Sequence, residues 1–344
     1  MNIQLIWIHG WGASPAVWDI GHGSRFSSRA ENCDAKMHIH HRDVSLVGCT
    51  TIEDMLATVT SAFDEAAKRE QPWHVIGWSL GGMLAIDALL RWMKQQPCSG
   101  IGARELHGAS TSEVGSHGLH GASTSEVGSH GLHGARASGV GSHGLHGARA
   151  SRVESHALCG ARASGMLPAS LIGVGATCQF VDEQGHAGWR PRILERMRRK
   201  LERAPEQVLA DFADQFWSPT ERADERYLTW QTEMSHAIRS AGYSLEGLNA
   251  GLQYLQQAAL EKQLIELAHE LPILWVQGSE DQICPAAAME QWNEVPLHTV
   301  RFSGAGHAPF LTRKDQWEAV LRQWLWSQCP QRPREGEERE SQAD

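Results

Sequence analysis

The twelve residues Val75–Ile86, VIGWSLGGMLAI, set a serine between glycines where an apolar, strand-like run meets an apolar, helix-like one. Trp73–Trp78 reads as a short buried strand, and Met83–Met93 reads as a helix with apolar residues all round. A strand that turns at once into a helix strains its corner residue, which is tolerable only if the positions two before and two after carry almost no side chain. Gly77 and Gly81 hold those positions, and Ser79 is the corner. G-x-S-x-G at such a corner holds the serine hydroxyl at the top of a sheet, facing backbone N–H groups and the positive end of a helix. A serine so placed is a candidate nucleophile. The competing reading is a chance pentapeptide in a chain with 34 glycines; the strand before it and the helix after it weigh against that.

A nucleophile needs a base and a group to orient the base, and the order serine, acid, histidine can be tested along the chain. Leu271–Gly278 (LPILWVQG) is a second buried strand, with Asp281 just past its C-terminal end. Further on, SGAGHAPF puts His307 in a glycine-rich turn after the strand-like Leu297–Phe302. Ser79, Asp281 and His307 therefore fall on one rim of a parallel sheet. Glu280 remains open as the acid, with Asp281 then a turn former, and His307 is one of 19 histidines. The first strand, Ile3–Ile8, runs into His9-Gly10-Trp11-Gly12. That turn supplies the Trp11 backbone N–H, and Leu80 supplies a second, as donors to a developing oxyanion. Alternatively HGWG is only a tight turn.

Together IHGWGASPAVW, GWSLGGMLA, GSEDQICP and GHAPF resemble the α/β-hydrolase superfamily. With NAGLQYLQQAAL (Asn249 to Leu260) before the acid's strand, the set is most similar to the pimeloyl-[acyl-carrier protein] methyl ester esterases of biotin synthesis. The resemblance covers most of residues 3–98 and 168–328. It implies Ser79 as nucleophile, His307 as base, Asp281 as orienting acid and the Trp11 and Leu80 amides as oxyanion hole. It also implies a carrier protein bearing the pimeloyl methyl ester as partner, and chemistry that needs no cofactor and no metal. The triad itself serves esterase, thioesterase, lipase or amidase chemistry alike. A general short-chain carboxylesterase or thioesterase is the alternative within the enzymes, and a non-catalytic scaffold with a histidine-rich binding repeat is the alternative outside them. The chain departs from the family in two ways: the first hairpin usual there is expected to be missing, and a long insertion is present.

That insertion repeats with a period of thirteen residues: LHGASTSEVGSHG from Leu106, identically from Leu119, LHGARASGVGSHG from Leu132, LHGARASRVESHA from Leu145, then LCGARASGM from Leu158. Its glycine, serine and alanine bury too little to offset chain entropy, so 106–166 is expected to be disordered. Its eight histidines, from His107 to His156, invite a metal, but ordering so loose a loop costs entropy and no metal site is assigned. The tail 330–344 is charged and is also expected to be disordered.

Strands expected at 3–8, 37–41, 73–78, 170–176, 272–277 and 297–302 alternate with helices at 51–69, 83–95, 286–293 and 314–327. The fold class is α/β: a mostly parallel sheet covered by helices, with a helical lid and the repeat insertion. The domain reading is a core over 1–105, the repeat over 106–166, a core strand over 167–182, the lid over 183–270, the rest of the core over 271–329, and the tail. In FADQFW, Phe212 and Phe216 stand four apart; with Trp11 they line an acyl groove, or they are ordinary lid core. WRPRILERMRRKLER carries Arg192, Arg196, Arg199 and Arg203, a candidate docking face for an acidic carrier protein. Glu195 and Glu202 interrupt it, and a solvated helix face is the plain alternative. A net charge of −9 gives no basic field for nucleic acid. No apolar run approaches the ~20 residues of a membrane helix. Seven cysteines with no CxxC pair suit a reducing compartment. No signal peptide is expected, so the expected setting is a cytoplasmic monomer. Most of the fourteen tryptophans, Trp7, Trp11, Trp78 and Trp275 among them, are expected in the core.

Overall fold

The computed structural model describes residues 2–20, 37–96, 166–290, 292 and 295–328. The disorder expected of the 106–166 repeat, of which only Met166 is described, and of the 330–344 tail lies outside those residues, as do the repeat's histidines.

The described strands form one parallel sheet in the order β2-β1-β3-β4-β5-β6. They are β1 (Asn2–Ile8), β2 (His38–Val44), β3 (Trp73–Trp78), β4 (Ser170–Val174), β5 (Ile273–Gly278) and β6 (His298–Phe302). Burial follows the sequence pattern. β3, β4 and β5 are buried at every position, as continuous apolar runs covered on both faces should be. The edge strands HIHHRDV and HTVRF leave most of their positions partly or fully exposed. The α/β fold expected from sequence is the fold observed.

Helix α1 (Ile52–Ala67) starts at a capping box, in which Thr51 and Asp54 satisfy each other's backbone N–H groups. Helix α2 begins at Leu80, directly after Ser79, and runs to Gln95, so the corner is tighter than the expected start at Met83. Between β4 and β5 lie α3 (Pro191–Leu201), α4 (Pro205–Asp214), α5 (Pro219–Arg222), α6 (Tyr227–Arg239), α7 (Leu245–Gln257) and α8 (Glu261–Glu270). Proline opens α3, α4 and α5, where its missing N–H costs nothing. Helix α8 was counted with the lid but packs instead against α2, with Lys94 Nζ 3.1 Å from Glu266 Oε1. Its apolar stripe, Leu264 and Leu267, is buried. After β5 come α9 (Ala287–Glu290), where a helix is expected at 286–293 and residues 291 and 293 lie outside the described ones, then α10 (Pro309–Thr312) and α11 (Lys314–Ser327).

Tryptophan holds the layers together. Trp73, Phe63 and Trp92 join β3 to α1 and α2, with ring centroids 5.5 to 6.2 Å apart. Trp18 sits among Trp7, Trp78 and Phe310 at 5.0, 6.4 and 4.9 Å. Trp7, Trp11, Trp78 and Trp275 are all buried. Gln95 ends α2 and Ser170 opens β4 opposite His74, the second residue of β3. The insertion therefore leaves and re-enters at the sheet edge remote from the strands' C-terminal ends. Among the described residues no helix is long and apolar enough to cross a membrane.

His74 is buried in this core, with Nδ1 2.8 Å from Ser170 Oγ, and burial depresses its pKa from 6.5 to about 3. The unfolded chain therefore binds a proton below pH 6.5 that the folded chain refuses, and stability falls as pH drops from there. Each pH unit costs about 1.4 kcal/mol for such a group. Urea unfolding at a series of pH values should show this slope, and His74→Asn should lessen it by about the share of one proton.

Candidate active site

All six described strands run the same way, so their C-terminal ends make one rim. β2 and β3 lie on opposite sides of β1, which opens a crevice at the rim between β1 and β3. The HGWG turn leaves β1 there, and Ser79 leaves β3.

Ser79 has φ 56° and ψ −122°, the strained corner expected from sequence. Its N–H donates to Val174 O at 3.0 Å, and its carbonyl accepts from Gly82 and Met83, the first turn of α2. A Cβ on Gly77 would lie 2.6 Å from Gly81 O and Gly82 Cα, so the strand can meet the helix only with glycine at that position.

Asp281 and His307 come together as a buried pair, with His307 Nδ1 2.9 Å from Asp281 Oδ2. The carboxylate is held from every side. Oδ1 accepts the Ile283 and Cys284 N–H groups at 2.8 and 2.9 Å, and Oδ2 also accepts Gln277 Nε2 at 2.8 Å. Glu280, the alternative acid, instead accepts the Thr220 hydroxyl at 2.9 Å. The imidazole is clamped through its backbone. His307 N–H donates to Phe216 O at 2.8 Å, and Trp78 Nε1 donates to His307 O at 2.9 Å. The rings of Trp78 and Phe216 stand 5.5 and 5.4 Å from the imidazole. With Nδ1 donating to the carboxylate, Nε2 is the acceptor nitrogen, and it is buried without a hydrogen-bond partner.

Gly10 of the HGWG turn lies directly against Ser79 and Trp78. His9 reaches the end of β2: its Nε2 accepts the Leu46 N–H at 3.0 Å, Nδ1 donates to Gly10 O, and burial lowers its pKa to about 4. The Trp11 indole donates to Leu248 O at 2.9 Å and meets the Phe212 ring edge-on at 5.0 Å. Phe212 and Phe216 are 5.4 Å apart and buried, which continues the aromatic line from Trp11 to His307.

A cavity of about 650 Å³ opens between α3, α4 and the segment after Asp281, lined by Trp189, Arg196, Met197, Lys200, Phe212 and Gln282 among others. Neither Ser79 nor His307 lines it; Phe212 does, and its ring also meets Trp11 and Phe216. Of the four arginines expected to dock a partner, Arg196 borders this cavity; Arg192 and Arg199 on α3, and Arg203 just past its end, are exposed and do not line it. None of the four forms an ion pair among the described residues, and Glu195 and Glu202 are also exposed. No group of three or more potential metal ligands occurs among the described residues.

Sequence reasoning missed two residues of this arrangement. Gln277 was a polar residue in an otherwise apolar strand, LPILWVQG, which is the signal that marks it. Gly175 has φ 50°, and a Cβ there would fall 2.7 Å from His307 O and 3.2 Å from Nδ1.

No family model matches the chain. A pimeloyl-[acyl-carrier protein] methyl ester esterase of Xanthomonas oryzae pv. oryzae is 36% identical over 117 residues, 30% of this chain and 46% of the relative. The chain thus spans less than half of that relative's length. Among solved structures, a bromoperoxidase from Bacillus anthracis superposes with a TM-score of 0.61 at 13% identity, covering 94% of this chain and 92% of that one. An esterase from Exiguobacterium antarcticum superposes with a TM-score of 0.57 at 15% identity, covering 94% and 91%. The chain has the α/β-hydrolase fold. In this α/β-hydrolase fold the serine corner, the acid and the histidine occupy three loops of one rim, each just beyond its own strand. Gly175→Ala should force the His307 backbone aside and strain the αL turn, lowering unfolding free energy by about 2–3 kcal/mol in chemical denaturation.

Proposed function

We propose that this chain is a serine carboxylic ester hydrolase whose substrate is the methyl ester of a pimeloyl group on an acyl-carrier protein. The observation that carries the hydrolase reading is the buried pair of His307 Nδ1 and Asp281 Oδ2 at 2.9 Å, with Nε2 free to accept a proton. The partial likeness to the Xanthomonas esterase supports the choice of substrate.

In this reading Asp281 holds the imidazole in the tautomer that leaves Nε2 basic, and His307 takes the Ser79 hydroxyl proton as the oxygen attacks the ester carbonyl. The carbonyl oxygen becomes an oxyanion that the Trp11 and Leu80 N–H groups stabilise. Collapse of the tetrahedral species breaks the C–O bond to methanol, which leaves with the proton from His307, and Ser79 is acylated. Water, deprotonated by His307, then attacks the acyl-enzyme, releasing the pimeloyl carboxylate and restoring the serine. No step calls for a cofactor. Helices α3–α7 act as the lid, and Trp11, Phe212 and Phe216 present the apolar surface for the acyl chain.

Docking falls to the exposed arginines at and just past α3. The spacing of 192, 196 and 199 puts three of them on one helix face, Arg203 follows the helix end, and an acidic carrier protein is complementary to them.

The deciding experiment is hydrolysis of pimeloyl-[acyl-carrier protein] methyl ester and of p-nitrophenyl butyrate by the wild type, Ser79→Ala and a variant lacking 106–166. Both esters should be cleaved by the wild type, and Ser79→Ala should lose at least about 10⁴-fold in turnover. The deletion variant should keep its rate, because the insertion joins the fold at the far edge of the sheet. Cleavage of the small ester alone would leave a general carboxylesterase. Cleavage of neither, with no fluorophosphonate label on Ser79, would leave a scaffold. Replacing Arg192, Arg196, Arg199 and Arg203 by glutamate should raise KM for the carrier-linked ester by about tenfold or more at low salt and leave p-nitrophenyl butyrate unaffected.

A further inference from the structure

The loop that carries His307 is tied to the helical layer by one buried carboxylate that the proposed mechanism leaves unused. Glu221, the third residue of α5, is 1% exposed. It forms a capping box with Ser218: Oε2 accepts the Ser218 N–H at 2.9 Å, and the Glu221 N–H donates to Ser218 Oγ at 3.0 Å. Its other oxygen looks outward from α5. Oε1 accepts the Thr312 hydroxyl and lies 3.9 Å from Arg313 Nη1. Ser218 Oγ in turn donates to Gly304 O at 2.8 Å, and Arg313 Nη2 donates to the same carbonyl at 2.7 Å.

A capping box on a four-residue helix works as well at the surface, so capping does not explain why this carboxylate is buried. Burying a carboxylate is costly unless it is paired and hydrogen-bonded. Every partner that Glu221 finds beyond its own turn belongs to the segment 304–313, which contains His307. The contacts fall on both sides of the imidazole, at Gly304 before it and at Thr312 and Arg313 after it. The next anchor along the same segment is the Phe216 carbonyl, which takes the His307 N–H itself.

We infer that Glu221 is a positioning residue for His307: it fixes the backbone on both sides of the imidazole, directly through Thr312 and Arg313 and through Ser218 to Gly304, and so keeps Nδ1 on Asp281. The inference rests on the reading of His307 as the general base. It also ties the base to the helical layer, since a shift of α5 moves the segment that carries His307.

The test uses the full chain and the variants Glu221→Ala, Glu221→Gln and Thr312→Val. Two quantities are read: kcat and KM for p-nitrophenyl butyrate across pH, and the far-downfield proton resonance of the Nδ1–H that His307 shares with Asp281. Glu221→Ala should lower kcat by about tenfold to a hundredfold with KM little changed, and should broaden or shift the resonance. Glu221→Gln, which keeps an acceptor for the loop, should recover part of both. Thr312→Val removes one donor only, so it should show the same changes on a smaller scale, and it decides the matter if Glu221→Ala does not fold. A folded Glu221→Ala or Thr312→Val with wild-type kcat and an unmoved resonance overturns the inference, as does a drop in melting temperature alone. If the wild type cleaves no ester and takes no label on Ser79, the hydrolase reading fails instead, and the resonance still decides whether Glu221 holds His307.

Discussion

Holding Ser79 at φ 56° and ψ −122° costs on the order of 1–3 kcal/mol, and the surrounding layers must leave the chain no cheaper path. They do so by fixing what precedes and follows it. β3 is locked between β1 and β4, with every position buried, and α2 is buried from Leu80 to Leu90. The strand cannot slip and the helix cannot unwind without exposing that apolar surface, so the strain is confined to one residue. The parallel sheet then fixes the position of everything else: each loop that carries chemistry leaves its strand at the same rim as Ser79.

The sequence made this much legible because each signal was local. Alternating apolar runs and helical stretches located all six described strands within a few residues, and the glycine spacing around Ser79 reported the corner. The choice between Asp281 and Glu280 was not local. The two are neighbours just past the same strand, and what separates them is distant in sequence: Thr220 takes Glu280, and His307 takes Asp281. For the same reason Gln277 looked like a blemish in a strand. Only the fold brings its amide to the Asp281 carboxylate.

Helix α8 shows the opposite failure. Its periodicity was read correctly, but periodicity says only that a face is buried and not against what. Helix α8, with Leu264 and Leu267 buried, packs on α2, where Lys94 and Glu266 close the contact, whereas α4 turns a similar apolar stripe to Trp11. The assignment of a helix to the sheet flank or to the rim is decided by its neighbours in space.

The site leaves the reactive end of its imidazole without a partner. Asp281 accepts four hydrogen bonds, and the His307 backbone is bonded at both N–H and C=O, yet Nε2 is buried with no partner. An unsatisfied buried acceptor costs about 1–3 kcal/mol. Rotating the ring would relieve that cost only by breaking the bond from Nδ1 to the carboxylate, and the packing of Trp78 and Phe216 against the imidazole opposes any such turn. The molecule therefore maintains an unpartnered nitrogen on a fixed imidazole, on the same rim of the sheet as the strained Ser79 corner.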